Sequence, residues 1–236
     1  MCGRYTLSRI QEIFERFQIE AKDLELAPRY NIAPEQTMPV VVRGEKNRLE
    51  LMRWGLIPSW AKEEKIISIN ARIEGILTKP SFRRSVCHQR CLIPATGFYE
   101  WKKEAGGKTP YHIRRKDGGL FAFAGIYDRR KSSEIGEVKT FAILTTSPNE
   151  LLSQVHNRMP VILTPEQESL WLTAEPTQTQ SLLYSLQPVP EEEWELYPVS
   201  RKVNWAKNDA PELIRAVTSD KQRAKAGGCS RVTRHC

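Results

Sequence analysis

Long apolar runs are missing from this chain. Nowhere among its 236 residues do the ~18 consecutive apolar side chains of a membrane-spanning helix occur, and the first residues lack the apolar core of a secretory signal. A soluble cytoplasmic protein is expected. Cysteine is scarce: the five, at positions 2, 87, 91, 229 and 236, are odd in number and follow no framework spacing. That excludes a disulfide-stapled secreted scaffold and fits a reducing compartment. The run CHQRC (Cys87, His88, Cys91) has no second ligand pair at matching spacing, so no metal site is expected. Internal repeats and an interdomain linker are absent too, and a single domain over residues 1–217 follows.

What is in excess is positive charge. Thirty-six basic against 28 acidic side chains leave a formal net charge of +8, a balance that suggests an anionic partner. Half of that excess, however, lies in residues 218–236, where five basic residues meet one acidic. The hydrophobic pattern ends at about Val217, and a disordered basic tail is expected beyond it. Nucleic-acid binding must therefore rest on particular arginines and aromatics in the body, not on bulk charge.

A hydrophobic content of 40% and six tryptophans can supply a sizeable core. In LSRIQEIFERFQI, Ser8 and Gln11 form a capping-box pair, and Ile10, Ile13, Phe14 and Phe17 share one helical face. From there to about residue 145 the chain reads mainly as strands: MPVVVRG, RLELMRWGLIP, RCLIPATGFYEWKK, TPYHIRRK, GGLFAFAGIYD and VKTFAILTTSP. Strand following strand without regular helices between them predicts an antiparallel α+β fold with peripheral helices. SPNELLSQV predicts a short helix capped by Ser147, with Pro148 at its first position and Glu150 completing the box. TPEQESLWL repeats the device with Thr164, Pro165 and Gln167, and TQSLLYSL is a further helix. QPVPEEEWELYPVS reads as an acidic loop entering a last edge strand.

The chain opens MCGRYTL. A small second residue invites removal of Met1, leaving Cys2 with a free α-amine beside its thiol. With a reference pKa of about 7.7 to 8.0, roughly a tenth of such an amine is unprotonated at pH 7, a few hundredfold more than for lysine. An aldehyde is its natural target: the amine gives an imine, and the thiol then closes a five-membered thiazolidine. MCG also opens N-terminal-nucleophile glutamine amidotransferases, in which the terminal cysteine attacks an amide. The first three residues do not separate these readings, nor do they exclude a non-enzymatic single-stranded nucleic-acid-binding module.

The rest of the chain resembles the SOS response-associated peptidase (SRAP) family of abasic-site proteins. Eight blocks carry the resemblance in order: MCGRY, RYNIAP, MRWGLIPSW, INARIEG, RCLIPATGFYEWKK, FAGIYD, TTSPN and VHNRMPVIL. Together they span about residues 2–205. The resemblance implies a mainly antiparallel, barrel-like sheet. It also implies an abasic site in single-stranded DNA as partner, captured covalently as a thiazolidine with no cofactor. Cys2 matches the crosslinking residue, Asn70 the asparagine that holds amine and sugar, Glu100 the acid–base glutamate and His156 the histidine beside the sugar. Autoproteolytic removal of Met1 is implied as well, and weak β-lyase activity is expected because a Schiff base at the sugar carbon acidifies the adjacent proton and permits β-elimination. The residues fit these roles: a glutamate between Phe98, Tyr99 and Trp101 is in an apolar stretch that raises its pKa, and a histidine titrates near neutrality. PATGFYEW carries Thr96 where the family commonly has an acidic residue.

For DNA engagement, Arg4 and Arg72 resemble phosphate contacts, with Arg83 and Arg84 following in SFRRS; such groups position a strand without reading its sequence. Trp54, Trp60 and Trp101 offer stacking surfaces, with Asn31 and Pro34 lining the same entrance by analogy, and basic groups beside aromatic platforms suit single strands. Trp171, Trp194 and Trp205 are assigned to packing. A monomer, associated with the nucleoid when bound to DNA and with the replication-fork machinery as a further partner, completes the expectation.

Overall fold

The structure is a computed structural model, and it describes residues 2–20, 24–61, 67–132 and 136–217. Met1 and the tail beyond Val217, the subjects of two sequence expectations, lie outside the described residues. The chain begins with β1 (Arg4–Leu7), α1 (Ile13–Arg16), β2 (Arg29–Ile32), β3 (Thr37–Arg43), β4 (Asn47–Trp54) and β5 (Asn70–Arg72). Then come α2 (Arg83–His88), β6 (Arg90–Ala95), β7 (Gly97–Glu104), β8 (Gly107–Arg115), β9 (Phe121–Ser132) and β10 (Gly136–Thr146). The remainder holds α3 (Glu150–Ser153), β11 (Met159–Pro160), β12 (Ile162–Leu163), α4 (Pro165–Thr173), α5 (Thr179–Ser185) and β13 (Trp194–Pro198).

The strands form two sheets. One runs β13-β8-β7-β1-β2 and is antiparallel throughout. The other runs β11-β10-β4-β3-β6-β9-β12, and because β9 also pairs with β10, the five strands β10-β4-β3-β6-β9 close into a barrel. The expected mainly antiparallel α+β, barrel-like fold is thus the one observed. Against the antiparallel majority, β4 and β5 both pair with β10 in parallel, at Thr140–Phe141 and at Ile143–Thr145. The chain leaves β10 at Trp54 and rejoins it one step along as β5.

Barrel closure needs small residues where layers meet. A Cβ at Gly125 of β9 would lie 2.1 Å from Ile93 Cδ1 and 2.9 Å from Cys91 Sγ, and Trp171 of α4 donates its indole N–H to both the Cys91 and Gly125 carbonyls at 3.1 and 3.2 Å. The aromatics of β9, Phe121 and Phe123, meet Trp194, Tyr5 and Phe98 edge-on, which ties the open sheet to the barrel. RCLIPATGFYEWKK, read as one strand, is two: β6 belongs to the barrel and β7 to the open sheet, with Thr96 at the crossing. Thr96 Oγ1 lies 3.0 Å from Thr6 Oγ1 and accepts the Ser8 N–H at 3.1 Å. Here the threonine stitches the N-terminal strand to the crossing.

Four local expectations change. Ser8 lies 3.2 Å from Thr96 Oγ1 and caps no helix, so the first helix shortens to a 3-10 turn at Ile10–Glu12 followed by α1. The α3 cap is Asn149, whose side chain accepts the Leu152 N–H at 3.0 Å, in place of Ser147. SFRRSVCHQ, inside the stretch read as mainly strands, forms α2. Trp205, assigned to packing, is 73% exposed. The Thr164–Gln167 capping box of α4 forms as expected, and β13 is an edge strand. Among the described residues no helix is long and apolar enough to cross a membrane.

Candidate active site and nucleic-acid interface

Cys2 precedes β1 and is fully buried, its thiol donating to the Arg4 carbonyl at an Sγ–O distance of 3.7 Å. β1 runs antiparallel to β7 with Arg4 opposite Tyr99, a register that carries the chain's first residues alongside Glu100 and Trp101. Glu100 is buried between its apolar neighbours, and burial raises its carboxyl pKa; the positive amino terminus pulls the other way without cancelling the rise. Burial, and then the Glu100 charge, push the Cys2 thiol far above its ordinary range. A thiol so placed stays protonated and poorly nucleophilic at neutral pH.

His156 follows α3 and is half-buried, its Nδ1 accepting the Arg158 N–H at 3.0 Å. The neutral ring therefore carries its proton on Nε2. Burial and then the charge of the amino terminus lower its pKa, with Lys103 and Lys108 of the β7–β8 hairpin adding to the effect. Arg158 fastens this loop to the strand bearing Asn70: it donates to both carboxylate oxygens of Glu74 at 2.6 and 2.8 Å and to the Thr145 carbonyl at 2.6 Å. Thr145 in turn pairs with Arg72 of β5.

Asn70 stands out chemically. Its side-chain Oδ1 and Nδ2 are both sealed from solvent, and among the described residues neither has a hydrogen-bond partner, a costly arrangement for a native amide. Its backbone is anchored through Trp54, whose indole N–H donates to the Ile69 carbonyl at 2.9 Å. Trp54 also meets Tyr5 of β1 edge-on at 5.2 Å and stacks on Phe141 at 6.3 Å. The aromatic wall thus runs from Tyr5 of β1 to the residue before Asn70.

The interface residues divide. Trp54 is no stacking surface: it is completely buried in the barrel end, because its indole fills the space between Tyr5 and Phe141. Asn31 does not line an entrance either. It is fully buried, its Oδ1 accepting from Arg4 at 2.8 Å and its Nδ2 donating to the carbonyls of Val203, Trp205 and Asn208. Arg4 is half-buried and donates at 2.8 Å to the Val203 carbonyl, so much of its hydrogen-bonding capacity is internal. Pro34 is partly exposed in a turn whose next residue, Glu35, donates its N–H to Trp54 O. Trp101 is partly exposed and bonds Asn204 Oδ1 at 2.8 Å. Arg72, Arg83 and Arg84 are exposed, as is Trp60 at 57%.

Asp128, unremarked in the sequence, organises the Trp60 side. Buried on β9, it accepts the Ser59 N–H at 2.8 Å and lies 3.8 Å from Arg84. Its cross-strand partner Thr140 accepts the Ile57 N–H at 2.9 Å. Two opposed acceptors thereby clamp alternate amides of the GLIPSW segment, up to the residue before the exposed Trp60. No local pattern marks an aspartate in FAGIYD for this duty; only the pairing of β9 with β10 does. Among the described residues no three of His, Cys, Asp and Glu gather as metal ligands: Cys91 is buried while His88 faces solvent.

The family model for the SOS response associated peptidase matches residues 1–206. The abasic site processing protein YoqW of Bacillus subtilis is 47% identical over 221 residues, covering 91% of this chain and 99% of that protein. The abasic site processing protein YedK of Escherichia coli is 32% identical over 225 residues, 92% of this chain and 100% of its own. A crystal structure of a Bacteroides thetaiotaomicron protein superposes with a TM-score of 0.82 at 29% identity, spanning 92% of this chain and 100% of that one. A match over most of its length, a shared fold and the ordered sequence blocks make this chain a member of the SOS response associated peptidase family.

Proposed function

We propose that this chain recognises abasic sites in single-stranded DNA and captures them through Cys2, once Met1 is removed, as a thiazolidine crosslink that shields the lesion. The observation that carries the reading is the buried Glu100 carboxyl of raised pKa on β7, the strand paired with the segment that begins at Cys2, with His156 supplying an imidazole of lowered pKa. Abasic deoxyribose is mostly a closed hemiacetal, and opening it needs a proton donor and a proton acceptor at once. A carboxyl of raised pKa keeps its proton to higher pH and can give it to the ring oxygen, then to the carbinolamine hydroxyl as water leaves.

The protonated state of the buried thiol sets the order of events. The terminal amine attacks the aldehyde carbon first, and the carbinolamine loses water to give the imine. The thiol then adds to the imine carbon: the C–S bond forms and the sulfur's proton passes, by way of the Glu100 carboxylate, to the nitrogen. The balance is one water lost per crosslink. The sealed Asn70 amide supplies a donor and an acceptor for the amine and a sugar hydroxyl. The imine acidifies the neighbouring carbon, so β-elimination competes with ring closure and weak lyase activity accompanies capture. Trp60, Arg72, Arg83, Arg84 and Trp101 engage the strand, and Arg4 shapes the site next to Cys2. An amidotransferase reading fits less well, since its nucleophile needs an activated thiol.

Intact mass spectrometry of the protein incubated with an abasic oligonucleotide tests the proposal. The sum of the two reactants less one water is expected. Cys2→Ala should retain transient imine and some strand cleavage but give no heat-stable adduct. A heat-stable adduct formed by Cys2→Ala would overturn the assignment.

A further inference from the structure

Trp205 has no part in the chemistry above, yet its surroundings are unusual. We infer that it is a stacking platform for an unpaired nucleobase close to the lesion, with Lys202 and Lys207 gripping the backbone of the same strand. The inference deepens the reading of a single-stranded DNA substrate and rests on it. The indole is 73% exposed; scattered exposed apolar residues are ordinary, and exposure alone carries nothing. What distinguishes Trp205 is that its backbone is held at both ends while its ring is presented to solvent. Its N–H donates to the Lys202 carbonyl at 3.3 Å, and its own carbonyl accepts from Asn208 N and from the buried Asn31 Nδ2, both at 3.0 Å.

The segment is also tied to the candidate site. Arg4, two residues from Cys2, donates to the carbonyls of Val203 and Asn204 at 2.8 and 3.3 Å. Asn204, the residue before Trp205, accepts the indole N–H of Trp101, the neighbour of Glu100. One asparagine thus links the two indoles, and the exposed one lies on the rim of the site. Arg201, Lys202 and Lys207 are exposed along the same stretch. Of the nearby carboxylates, both exposed, Asp209 is paired with Arg29 and bonded to the amides of Tyr30 and Asn31, so its charge is largely taken up, while Glu212 lies beyond it. A rigid aromatic face with cations beside it is the pattern that accepts any base of a single strand, because every base has a π-face and every phosphate a charge. A pre-set platform also loses little entropy on binding.

The experiment uses the full chain with Trp205→Ala, Trp205→Phe and a Lys202→Ala/Lys207→Ala pair, against undamaged and abasic single-stranded oligonucleotides. Trp205→Ala should weaken binding of the undamaged strand about tenfold or more, Trp205→Phe should recover most of it, and neither should change the salt dependence. The lysine pair should flatten the salt slope by roughly 0.7 for each phosphate it no longer neutralises. With the abasic strand, the concentration for half-maximal crosslinking should rise in Trp205→Ala while the saturating rate holds. If Trp205→Ala binds the undamaged strand within about twofold of the parent, the platform is refuted. If binding weakens as expected but no variant, nor the parent, forms an adduct, the platform stands and the crosslinking reading falls.

Discussion

His112 holds the strand that carries Glu100, and its protonation should be among the first events of acid unfolding. It is the cross-strand partner of Tyr99 on β7 and is almost completely buried. The ring is packed at 4.9 Å from Tyr99 and 5.6 Å from Tyr197, and a Cβ at Gly97 would come within 2.4 Å of its Nε2. Nδ1 lies 3.1 Å from Tyr197 Oη, which in turn donates to the Ile214 carbonyl at 3.0 Å. Burial, and secondarily the Arg114 charge, lower its pKa from 6.5 to about 3. The unfolded chain therefore binds a proton below pH 6.5 that the folded chain refuses, so stability is complete above that value and is lost as pH falls. With those two pKa values the loss is about 1.4 kcal/mol at pH 5.5 and about 2.7 kcal/mol at pH 4.5. Any folded value below about 4 gives nearly the same figures, because the unfolded chain sets the window.

Glu100 and Glu168, both raised by burial, act in the opposite sense over the same range, and His156 in the same sense. The measurement is therefore a difference. Denaturant unfolding at pH 7.5 and 4.5 should show His112→Asn losing about 2.7 kcal/mol less than the parent across the interval, whatever its stability at pH 7.5. The same fall in both proteins, or a His112 imidazole titrating above about pH 5 by NMR, would refute the reasoning.

Other substitutions separate chemistry from scaffold. Glu100→Gln should slow adduct formation by about 10²-fold or more and abolish the decline in rate as pH rises through the carboxyl's raised pKa. Because a buried carboxylate of raised pKa costs stability once it ionises, the same variant should resist denaturant better than the parent at pH 8; lower resistance there would contradict the assigned shift. Trp54→Phe removes the donor to the Ile69 carbonyl and should cost about 1–3 kcal/mol while slowing crosslinking at saturating DNA. Lost stability with an unchanged rate would show that the aromatic wall does not position Asn70. Asp128→Ala frees the Ser59 amide and Arg84, and should weaken single-strand binding several-fold with Trp60 fluorescence less quenched by DNA, at an unchanged saturating rate. Equal affinity would remove Asp128 from the interface.

Cys2, Asn70, Glu100 and His156 could be proposed from the chain because each lies in a short ordered block, and because an aminothiol, an acid in an apolar stretch and a histidine have intrinsic chemistry that needs no coordinates to state. Most strands were legible for a similar reason: alternation and turn residues are local. The capping box of α4 uses residues three apart and was readable, whereas that of the first helix was not, since Ser8 has a better partner at Thr96, nearly ninety positions away.

Which tryptophan would be wall and which surface depended on tertiary structure alone. Trp54, Trp60 and Trp205 share one side chain, yet barrel closure buries the first, an aspartate on another strand clamps the segment that displays the second, and a buried asparagine fixes the third with its ring facing water. A side chain's chemistry is carried by its own atoms, while its exposure depends on what distant segments place around it, and here those segments meet only when β9 and β10 close the barrel and residues 199–213 fold back over β2.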